Sequence, residues 1–414
     1  MKTYLVGGAV RDKLLNYPVH ERDWVIVGAT ADDMLAQGFR PVGKDFPVFL
    51  HPQTNEEYAL ARTERKTAPG YKGFVIHADT AVTLEQDLLR RDLTINAIAE
   101  DDTGRLYDPY GGQQDLDDHL LRHVSAAFAE DPVRILRVAR FAARYAHLGF
   151  KVADETMGLM REMTARGEVD ALVAERVWAE LIKALAERTP QQFFQVLRDC
   201  NALQRLFPEL DALFGVPQPA KYHPEVDTGV HSLMTLEQAT RLSDDPLVRF
   251  AALMHDIGKG LTPAEMLPGH HGHEEAGAEL FAKVAQRLRV PDQYKRLTSQ
   301  VIRYHTHCHR AFELKASTLV DILYALDALR NSNQSLELFL LACIADARGR
   351  SGLENRDYHQ ADVLRTAQQA ALSVDVKPFI EQGLIGSAIG EALRRKRIEV
   401  VKAAIRPLKE AHAA

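Results

Sequence analysis

The sequence predicts a small mixed α/β domain at the amino end, followed by a mostly α-helical remainder. Short apolar runs bounded by turn residues, which are typical of strands, occupy roughly the first 110 residues. Beyond Asp115 such runs nearly vanish, and apolar residues recur at helical spacing. A chain of 414 residues is too long for one compact core, so we expect two to four domains.

The composition is that of a globular protein, with 46% apolar and 26% charged residues. No apolar run is long enough for a signal peptide or a membrane helix, so we expect no membrane contact. Three widely spaced cysteines, Cys200, Cys308 and Cys343, indicate a reducing compartment, and hence the cytoplasm. The net charge of −6 argues against a protein that coats polyanions, although a local basic surface could still bind nucleic acid.

The α/β domain is predicted to begin with a strand, a glycine turn and a helix. Thr83–Gln86 is a capping-box pattern, which predicts a helix that continues through Ala99. The run Arg65–Lys72 is predicted to be a mobile basic loop. Apolar runs predict four strands, at 4–6, 24–27, 46–50 and 57–62.

Two carboxylates, Glu21 and Asp23, lie one residue apart, and we expect both to lie in one strand with the apolar run 24–27. Residues i and i+2 of a strand project to the same face, where two acidic groups repel unless a cation lies between them. The glycine turn Gly7-Gly8 lets backbone amides approach an anion such as a phosphate. Each feature alone is common, and acidic pairs often lie on solvated faces. Together they predict a divalent-metal site for phosphoryl transfer.

The remainder is predicted to be helical at 131–145, 171–186 and 191–206, with a linker at 214–219. Nine of the 17 histidines lie between His223 and His309, in a second helical region. We therefore expect four segments: an α/β head at 1–125, a helical neck and body at 126–215, a histidine-rich domain at 225–350 and a helical tail at 351–414.

Two further motifs complete a recognisable set. The segments RRDLTINA (90–97) and EDPVRILR (130–137) follow the glycine turn and the acidic pair in order. In this order and spacing, the chain resembles the class II tRNA nucleotidyltransferases, or CCA-adding enzymes, of the polymerase-β-like superfamily. His255-Asp256, preceded by His231 and followed by Asp346, resembles the HD superfamily of metal-dependent phosphohydrolases. Over essentially its whole length, the chain is similar to the bacterial subgroup with a C-terminal HD domain.

The resemblance implies that Glu21 and Asp23 hold two Mg²⁺ ions for nucleotidyl transfer. The family usually has Asp-x-Asp, and Glu21 replaces the first aspartate with one extra methylene. A third carboxylate is typical of the family. We expect Glu57 to supply it, with Glu56, which points to the opposite face of the strand, as the alternative.

The resemblance also implies a protein template for the incoming nucleotide. Asp131 and Arg134, at i and i+3 of a predicted helix, would pair with CTP or ATP. The alternative is a solvated basic helix face with intrahelical ion pairs. Asn96 and Asp92, at i and i+4, would face the sugar and phosphates. The expected nucleotide-binding residues are Gly8, Arg11, Arg91, Asp92, Asn96, Asp131, Arg134, Arg137 and Arg140.

In the HD domain the resemblance implies a divalent transition metal such as Ni²⁺. Imidazole and carboxylate ligands suit such an ion. The expected ligands are His231, His255, Asp256 and Asp346, and His273 and His305 would serve a second metal or a phosphate. We expect His307 and His309 to be solvated and His223 to lie outside the site.

The implied function is addition of CCA to the 3′ end of tRNA from CTP and ATP, without a nucleic-acid template and with release of pyrophosphate. The HD domain would add 2′,3′-cyclic phosphodiesterase, 2′-nucleotidase and phosphatase activities, in a monomer or homodimer. Three alternatives stay open. They are a poly(A) polymerase of the same superfamily, an HD hydrolase whose head only binds RNA, and a non-catalytic helical scaffold.

Overall fold

The computed structural model describes residues 1–19, 21–42, 47–66, 74–77, 79–330 and 334–413. Contacts between residues divide the chain into two compact units, Met1–Leu206 (unit 1) and Phe207–Ala414 (unit 2). The predicted fold class, an α/β head followed by mostly helical segments, is confirmed. The finer boundaries predicted for the four segments stay predictions.

Among the described residues, all strands lie in unit 1. They are β1 (Lys2–Val6), β2 (Asp23–Val27), β3 (Arg40–Val42), β4 (Val48–Leu50), β5 (Glu57–Leu60), β6 (Thr63–Lys66), β7 (Phe74–His77), β8 (Ala99–Glu100), β9 (Leu106–Tyr107), β10 (Leu120–Leu121) and β11 (Lys151–Val152). Seven of them form one sheet in the order β3-β4-β5-β2-β1-β8-β9. Within this sheet β2 and β5 are parallel, and the other neighbours are antiparallel.

The helices of unit 1 are α1 (Gly8–Leu14), α2 (Ala31–Ala36), α3 (Leu84–Leu89), α4 (Gly112–Asp117), α5 (Val133–Tyr145), α6 (Asp154–Ala165), α7 (Ala174–Ala186), α8 (Gln191–Asp199) and α9 (Leu203–Leu206). Those of unit 2 are α10 (Pro208–Asp211), α11 (Thr228–Leu242), α12 (Pro246–Met254), α13 (His273–Arg287), α14 (Asp292–His309), α15 (Ala316–Ala325), α16 (Ser335–Arg348), α17 (Gln360–Leu372), α18 (Lys377–Glu381) and α19 (Ser387–Ala413).

The start of α3 is as predicted, but its end is not. The Thr83 side chain accepts a hydrogen bond from the Gln86 backbone N–H, and the Gln86 side chain accepts one from the Thr83 N–H, so the capping box is present. The helix ends at Leu89, not Ala99, because the chain turns back to pair β8 with β1. The prediction that the segment 90–97 is helical is therefore wrong, apart from a single 3₁₀ turn at Thr94–Asn96.

Other predicted bounds also shift. The helix predicted at 191–206 is interrupted where Asn201 adopts a left-handed conformation, with φ of 60°, and this separates α8 from α9. Part of the predicted basic loop is strand, since β6 extends to Lys66 and pairs with β7. Residues 67–72 of that loop lie outside the described residues.

Apolar side chains cover both faces of the large sheet. One face packs Tyr4, Val6 and Val25 against Leu84 and Leu88, next to the start of α3. The other face packs a second cluster around α2, formed by Ile26, Ala29, Met34, Phe39, Phe49 and Leu60. The sheet is therefore a rigid support for side chains at its strand ends. Within the described ranges, no helix combines the length and apolarity needed to cross a membrane.

Candidate functional sites

Strand pairing brings Asp23 and Glu57 together in unit 1. They are register partners in the parallel pair of β2 and β5. Glu21 lies two residues before β2, so the prediction that both members of the acidic pair lie within a strand is wrong. The pKa of Asp23 is raised overall. Desolvation is the largest cause and the Glu21 carboxylate adds to it, whereas Arg91 partly offsets the increase. The like charges therefore interact, which favours binding of a cation.

Glu56 and Glu57 have different surroundings. Glu56 accepts a hydrogen bond from Trp24 Nε1 at 2.9 Å, and Arg22 lies 3.9 Å from its carboxylate. Glu57 is exposed beside Asp23. The register therefore favours Glu57 over Glu56 as the third carboxylate, although its catalytic role stays a prediction.

A cavity of about 580 Å³ in unit 1 collects the predicted nucleotide-binding residues. All nine of them line it, together with Asp23. Gly7 of the predicted glycine turn also lines it. The lining further includes residues that the sequence analysis did not name as binding residues: Arg90, Val133, Phe141, Arg144, Arg176, Ala179 and Glu180. The cavity is thus strongly cationic, as binding of a triphosphate requires.

Asp92 lines this cavity and accepts hydrogen bonds from two of the other lining residues. Its carboxylate accepts hydrogen bonds from Arg137 Nε at 2.6 Å and from Asn96 Nδ2 at 2.9 Å. Burial opposes its charge, but Arg137 and these hydrogen bonds hold the pKa of Asp92 far below its usual range. Asn96 Oδ1 in turn accepts from Arg11 at 2.5 Å. The predicted proximity of Asp92 and Asn96 is confirmed, although no α-helix connects them.

Glycine is required at position 7. Its φ is +67°, and a Cβ atom there would lie 2.8 Å from Arg91 Nη1. Arg91 donates to the Asn96 carbonyl and to Asp87, both at 3.3 Å. The glycine turn therefore makes room for an arginine that lines the cavity.

Asp131 lies before α5 in an extended conformation, so it does not share a helix face with Arg134 as predicted. The Arg134 backbone N–H donates to the Asp131 carbonyl at 3.0 Å, and both side chains still line the cavity. The Asp131 carboxylate accepts from Arg176 of α7 at 2.8 and 3.1 Å. Arg134 donates to the carbonyls of Arg90, at 2.7 Å, and Ala127, at 2.8 Å.

The arginines of α5 pair with other elements. Arg140 donates to Glu180 at 2.7 Å in a buried ion pair, and Arg137 binds Asp92. The alternative of a solvated helix face with intrahelical pairs is therefore wrong for these two residues. Arg176 follows Asp131 by 45 residues, and no local pattern connects them in the sequence.

The second site lies in unit 2, where side chains from four helices meet those of the segment directly after α12. The helix α12 ends at Met254, directly before His255 and Asp256. The other helices contribute His231 from α11, His273 from α13, His305 from α14 and Asp346 from α16. All six predicted metal ligands and second-site residues are therefore brought together, although their roles stay predictions.

The Nε2 atoms of four histidines face two carboxylates. His231 Nε2 lies 3.1 Å from Asp346 Oδ1, and His255 Nε2 lies 3.0 Å from Asp256 Oδ2. His273 Nε2 and His305 Nε2 each lie 3.4 Å from Asp256 Oδ1. Asp256 is therefore shared between the two predicted ligand sets.

Backbone carbonyls hold the opposite nitrogen of each of these rings. The Nδ1 atoms of His231, His255, His273 and His305 lie 2.7 to 3.0 Å from the carbonyl oxygens of Gly349, Ala252, His270 and Val301, respectively. This arrangement leaves Nε2 as the free ligand atom, which is typical of metal-binding histidines.

The donor set fits a transition metal. His255 Nε2 and both Asp256 carboxylate oxygens are buried, yet within the described residues they have no hydrogen bond of normal geometry. An ion pair of 2.6 Å joins Asp256 to Lys259. Ligand atoms within 4.8 Å of one another occur in the groups His231, His255, Asp346 and His255, Asp256, His305, and also in His223, Glu225, His231. Mixed imidazole and carboxylate donors are those of a transition-metal centre.

The charges of this site are strongly coupled. Burial opposes ionisation of Asp256 and Asp346, but the surrounding histidines, and Lys259 for Asp256, hold both pKa values well below their usual range. Burial lowers the pKa of His231, but hydrogen bonds to Asp346 and Glu225 outweigh this and raise it to about 9. Both carboxylates are therefore ionised at neutral pH.

Gly258 allows the His255-Asp256 loop to pack on α13. A Cβ atom at this position would lie 2.0 Å from the His273 carbonyl oxygen and 2.6 Å from the Gly277 nitrogen. Glycine is therefore required at this point, where Asp256 approaches His273.

A cavity of about 640 Å³ opens on this centre. His309 lines it and lies 2.5 Å from Asp346, so the expectation that His309 is solvated is wrong. His223 also lines it and contacts Glu225 at 3.0 Å, so the prediction that His223 lies outside the site is wrong as well. His307 is half-buried and does not line this cavity. The cations Lys259, Arg310, Arg350 and Arg356, which the sequence analysis did not select, line it too.

Three known families match separate parts of the chain. Residues 3–122 match the Poly A polymerase head domain, and residues 228–347 match the HD domain. Residues 149–214 match a family described as the probable RNA and SrmB-binding site of polymerase A.

Solved structures share the fold. A CCA-adding enzyme in complex with CTP superposes with a TM-score of 0.65 at 21% identity, covering 97% of this chain and 87% of that one. A Thermotoga maritima CCA-adding enzyme complexed with tRNA-CCA gives a TM-score of 0.62 at 19% identity, covering 98% and 91%.

Curated relatives are much more similar in sequence. A multifunctional CCA protein of Methylococcus capsulatus is 65% identical over 402 residues, covering 97% of this chain and 95% of the relative. A protein of the same name from Pseudomonas fluorescens is 60% identical over 414 residues, covering 100% of both. The chain is thus an enzyme that belongs to the family of the multifunctional CCA proteins.

Proposed function

We propose that this enzyme adds CCA to the 3′ end of tRNA from CTP and ATP, without a nucleic-acid template. The observation that carries the proposal is the cavity of unit 1, in which every predicted nucleotide-binding residue lies beside Asp23. The relatives named multifunctional CCA proteins support it. We place the enzyme in the cytoplasm, as a monomer or homodimer that binds tRNA partly through residues 149–214.

In this proposal Glu21, Asp23 and Glu57 hold Mg²⁺, which supplies positive charge for the triphosphate and lowers the pKa of the attacking 3′-hydroxyl. The pairing of Asp23 with Glu57 supports this assignment. Arg11 and Arg91, at the glycine turn, bind and orient phosphates. Because they are held by Asn96 and Asp87, they need little reorganisation when the triphosphate arrives.

Selection of the base falls to Asp131 and Arg134. A carboxylate accepts from the exocyclic amino group that C and A carry, and a guanidinium donates to the adjacent ring nitrogen. Arg176 binds both oxygens of the Asp131 carboxylate, and the Val133 N–H also donates to Oδ1 at 3.1 Å, so the second lone pair of Oδ2 is the acceptor for the base.

The second cavity serves hydrolysis of phosphate esters at RNA ends. We propose 2′,3′-cyclic phosphodiesterase, 2′-nucleotidase and phosphatase activities. His231, His255, Asp256 and Asp346 would hold a transition metal such as Ni²⁺, which supplies an activated water, and His273 and His305 would hold a second ion or a phosphate. The cationic side chains lining the cavity would bind the phosphate.

The decisive test replaces Glu21 and Asp23 together by Ala. We expect nucleotide incorporation into a tRNA that lacks CCA to fall by about 10³-fold, because metal binding is worth several kcal/mol. The matched control is Asp32→Ala, which removes an exposed carboxylate of α2. Normal incorporation by the double variant would instead support a hydrolase whose head only binds RNA.

A poly(A) polymerase is the second candidate, favoured by the match of residues 3–122 to the Poly A polymerase head domain. Product length separates the two. Addition that stops after three nucleotides and requires both CTP and ATP supports CCA synthesis, whereas long products from ATP alone support poly(A) synthesis.

A further inference from the structure

His309 contacts the HD centre from a position outside the predicted ligand set. It lies four residues after His305 on α14, so the two side chains lie on the same side of the helix. His309 Nε2 lies 2.5 Å from Asp346 Oδ2. The other oxygen, Oδ1, lies 3.1 Å from His231 Nε2 and 3.4 Å from Arg350. Both oxygens of Asp346 are therefore held in place.

Tyr358 supports His309 from the opposite side. The Tyr358 hydroxyl lies 2.7 Å from His309 Nδ1, and the two rings meet edge to face at 5.6 Å. The hydroxyl also lies 3.4 Å from Cys308 Sγ, but sulfur is the weaker acceptor. A hydroxyl that donates to Nδ1 leaves the ring proton on Nε2, where it can be donated to Asp346. Tyr358 is buried and follows the matched HD segment, which ends at residue 347.

We propose that His309 and Tyr358 are positioning residues that orient the Asp346 carboxylate for the metal of the HD centre. This inference rests on the proposed metal-dependent hydrolase. Partners of this kind fix ligand orientation, and their loss typically weakens metal binding by about 10- to 100-fold. The segment after the matched HD residues thus contributes Tyr358 to the metal site, in addition to Gly349 and Arg350, which contact His231 and Asp346.

The test is calorimetric titration of Ni²⁺ into the metal-stripped full-length protein, with Mg²⁺ in excess to occupy the head. We expect His309→Ala to raise the Ni²⁺ dissociation constant about 10- to 100-fold. His309→Gln, which keeps an N–H donor, should recover part of this loss. Tyr358→Phe should weaken binding less than His309→Ala, and the double variant should be no weaker than His309→Ala, because Tyr358 acts through His309.

His307→Ala is the matched control, since it removes a half-buried histidine of the same helix. It should bind Ni²⁺ like the wild type. Unchanged affinity in His309→Ala, or additive losses in the double variant, would overturn the positioning pair alone. The double variant His255→Ala/Asp256→Ala lacks two predicted ligands and should bind no Ni²⁺. If the wild-type protein also binds no Ni²⁺, both the proposed hydrolase and the positioning pair are overturned.

Discussion

Glu56 and Glu57 show how one step along the chain separates two roles. Glu57 is the first residue of β5, and Glu56 lies directly before it. Glu57 is paired by register with Asp23, whereas Glu56 binds Trp24. The same type of side chain therefore lies beside Asp23 at position 57 and in a hydrogen bond with Trp24 at position 56.

Replacing Glu57 by Gln should slow nucleotide incorporation by about 10²-fold and raise the Mg²⁺ concentration needed for half-maximal rate, because one anionic ligand is lost. Steady-state incorporation of CMP at varied Mg²⁺ measures both effects. Glu56→Gln is the isosteric control and should stay within about twofold of the wild type. Equal effects of the two substitutions would contradict the assignment of Glu57.

The family resemblance, recognised from motifs in the sequence, predicted the nine cavity-lining residues of the head and the six residues of the HD centre. Arg176 and His309 were missed for a physical reason. Their partners, Asp131 and Asp346, lie 45 and 37 residues away in the sequence. Such contacts form only when helices pack, so no local spacing indicates them.

At the scale of elements, α3 shows which features of a helix can be predicted from residues that are close together in the sequence. Its capping box is a contact between residues three apart and can be recognised in the sequence. Its end at Leu89 depends on the pairing of β8 with β1, which joins residues more than 90 positions apart.

Asp87, on α3, should make the stability of unit 1 depend on pH. Burial alone would raise its pKa, but Arg90 and Arg91 outweigh burial and lower it. Ionised Asp87 therefore contributes stability that is present above the unfolded pKa of about 3.9 and is lost as the pH falls through the lower folded value. Asp87→Asn should reduce the free energy of unfolding by about 3 kcal/mol at pH 7, and this difference should shrink below about pH 4.

Tryptophan fluorescence during urea unfolding measures this effect, because both tryptophans, Trp24 and Trp178, lie in unit 1. Glu85→Gln, an exposed substitution on the same helix, should change the free energy of unfolding by less than about 0.5 kcal/mol. A difference between wild type and Asp87→Asn that persists undiminished at pH 3 would contradict the electrostatic explanation.

At the scale of the whole molecule, the two candidate metal sites differ in ligand type. The predicted ligands of the head, Glu21, Asp23 and Glu57, are carboxylates, which suit Mg²⁺. The centre in unit 2 combines imidazole with carboxylate, which suits transition metals. One chain thus carries two sites that prefer different ions.

Removal of all metals by a chelator should therefore abolish two activities that different ions restore. We expect Mg²⁺ alone to restore CMP incorporation into tRNA, and Ni²⁺ to be needed for hydrolysis of a 2′,3′-cyclic nucleotide. Parallel assays of one stripped preparation measure both. Full recovery of hydrolysis by Mg²⁺ alone would contradict the proposed ion preference of the histidine centre.

The parallel pairing of β2 with β5 also affects the order in which the polymerising site can assemble during folding. The strand β1 can pair with its neighbour β2 early, because the connection between them is short. The parallel partner arrives only after the intervening segment, with α2, β3 and β4, has closed a longer loop, which costs more chain entropy. We therefore expect Asp23 and Glu57 to come together late, so a nascent head in which β1 and β2 are already paired would still lack one carboxylate of the proposed magnesium site.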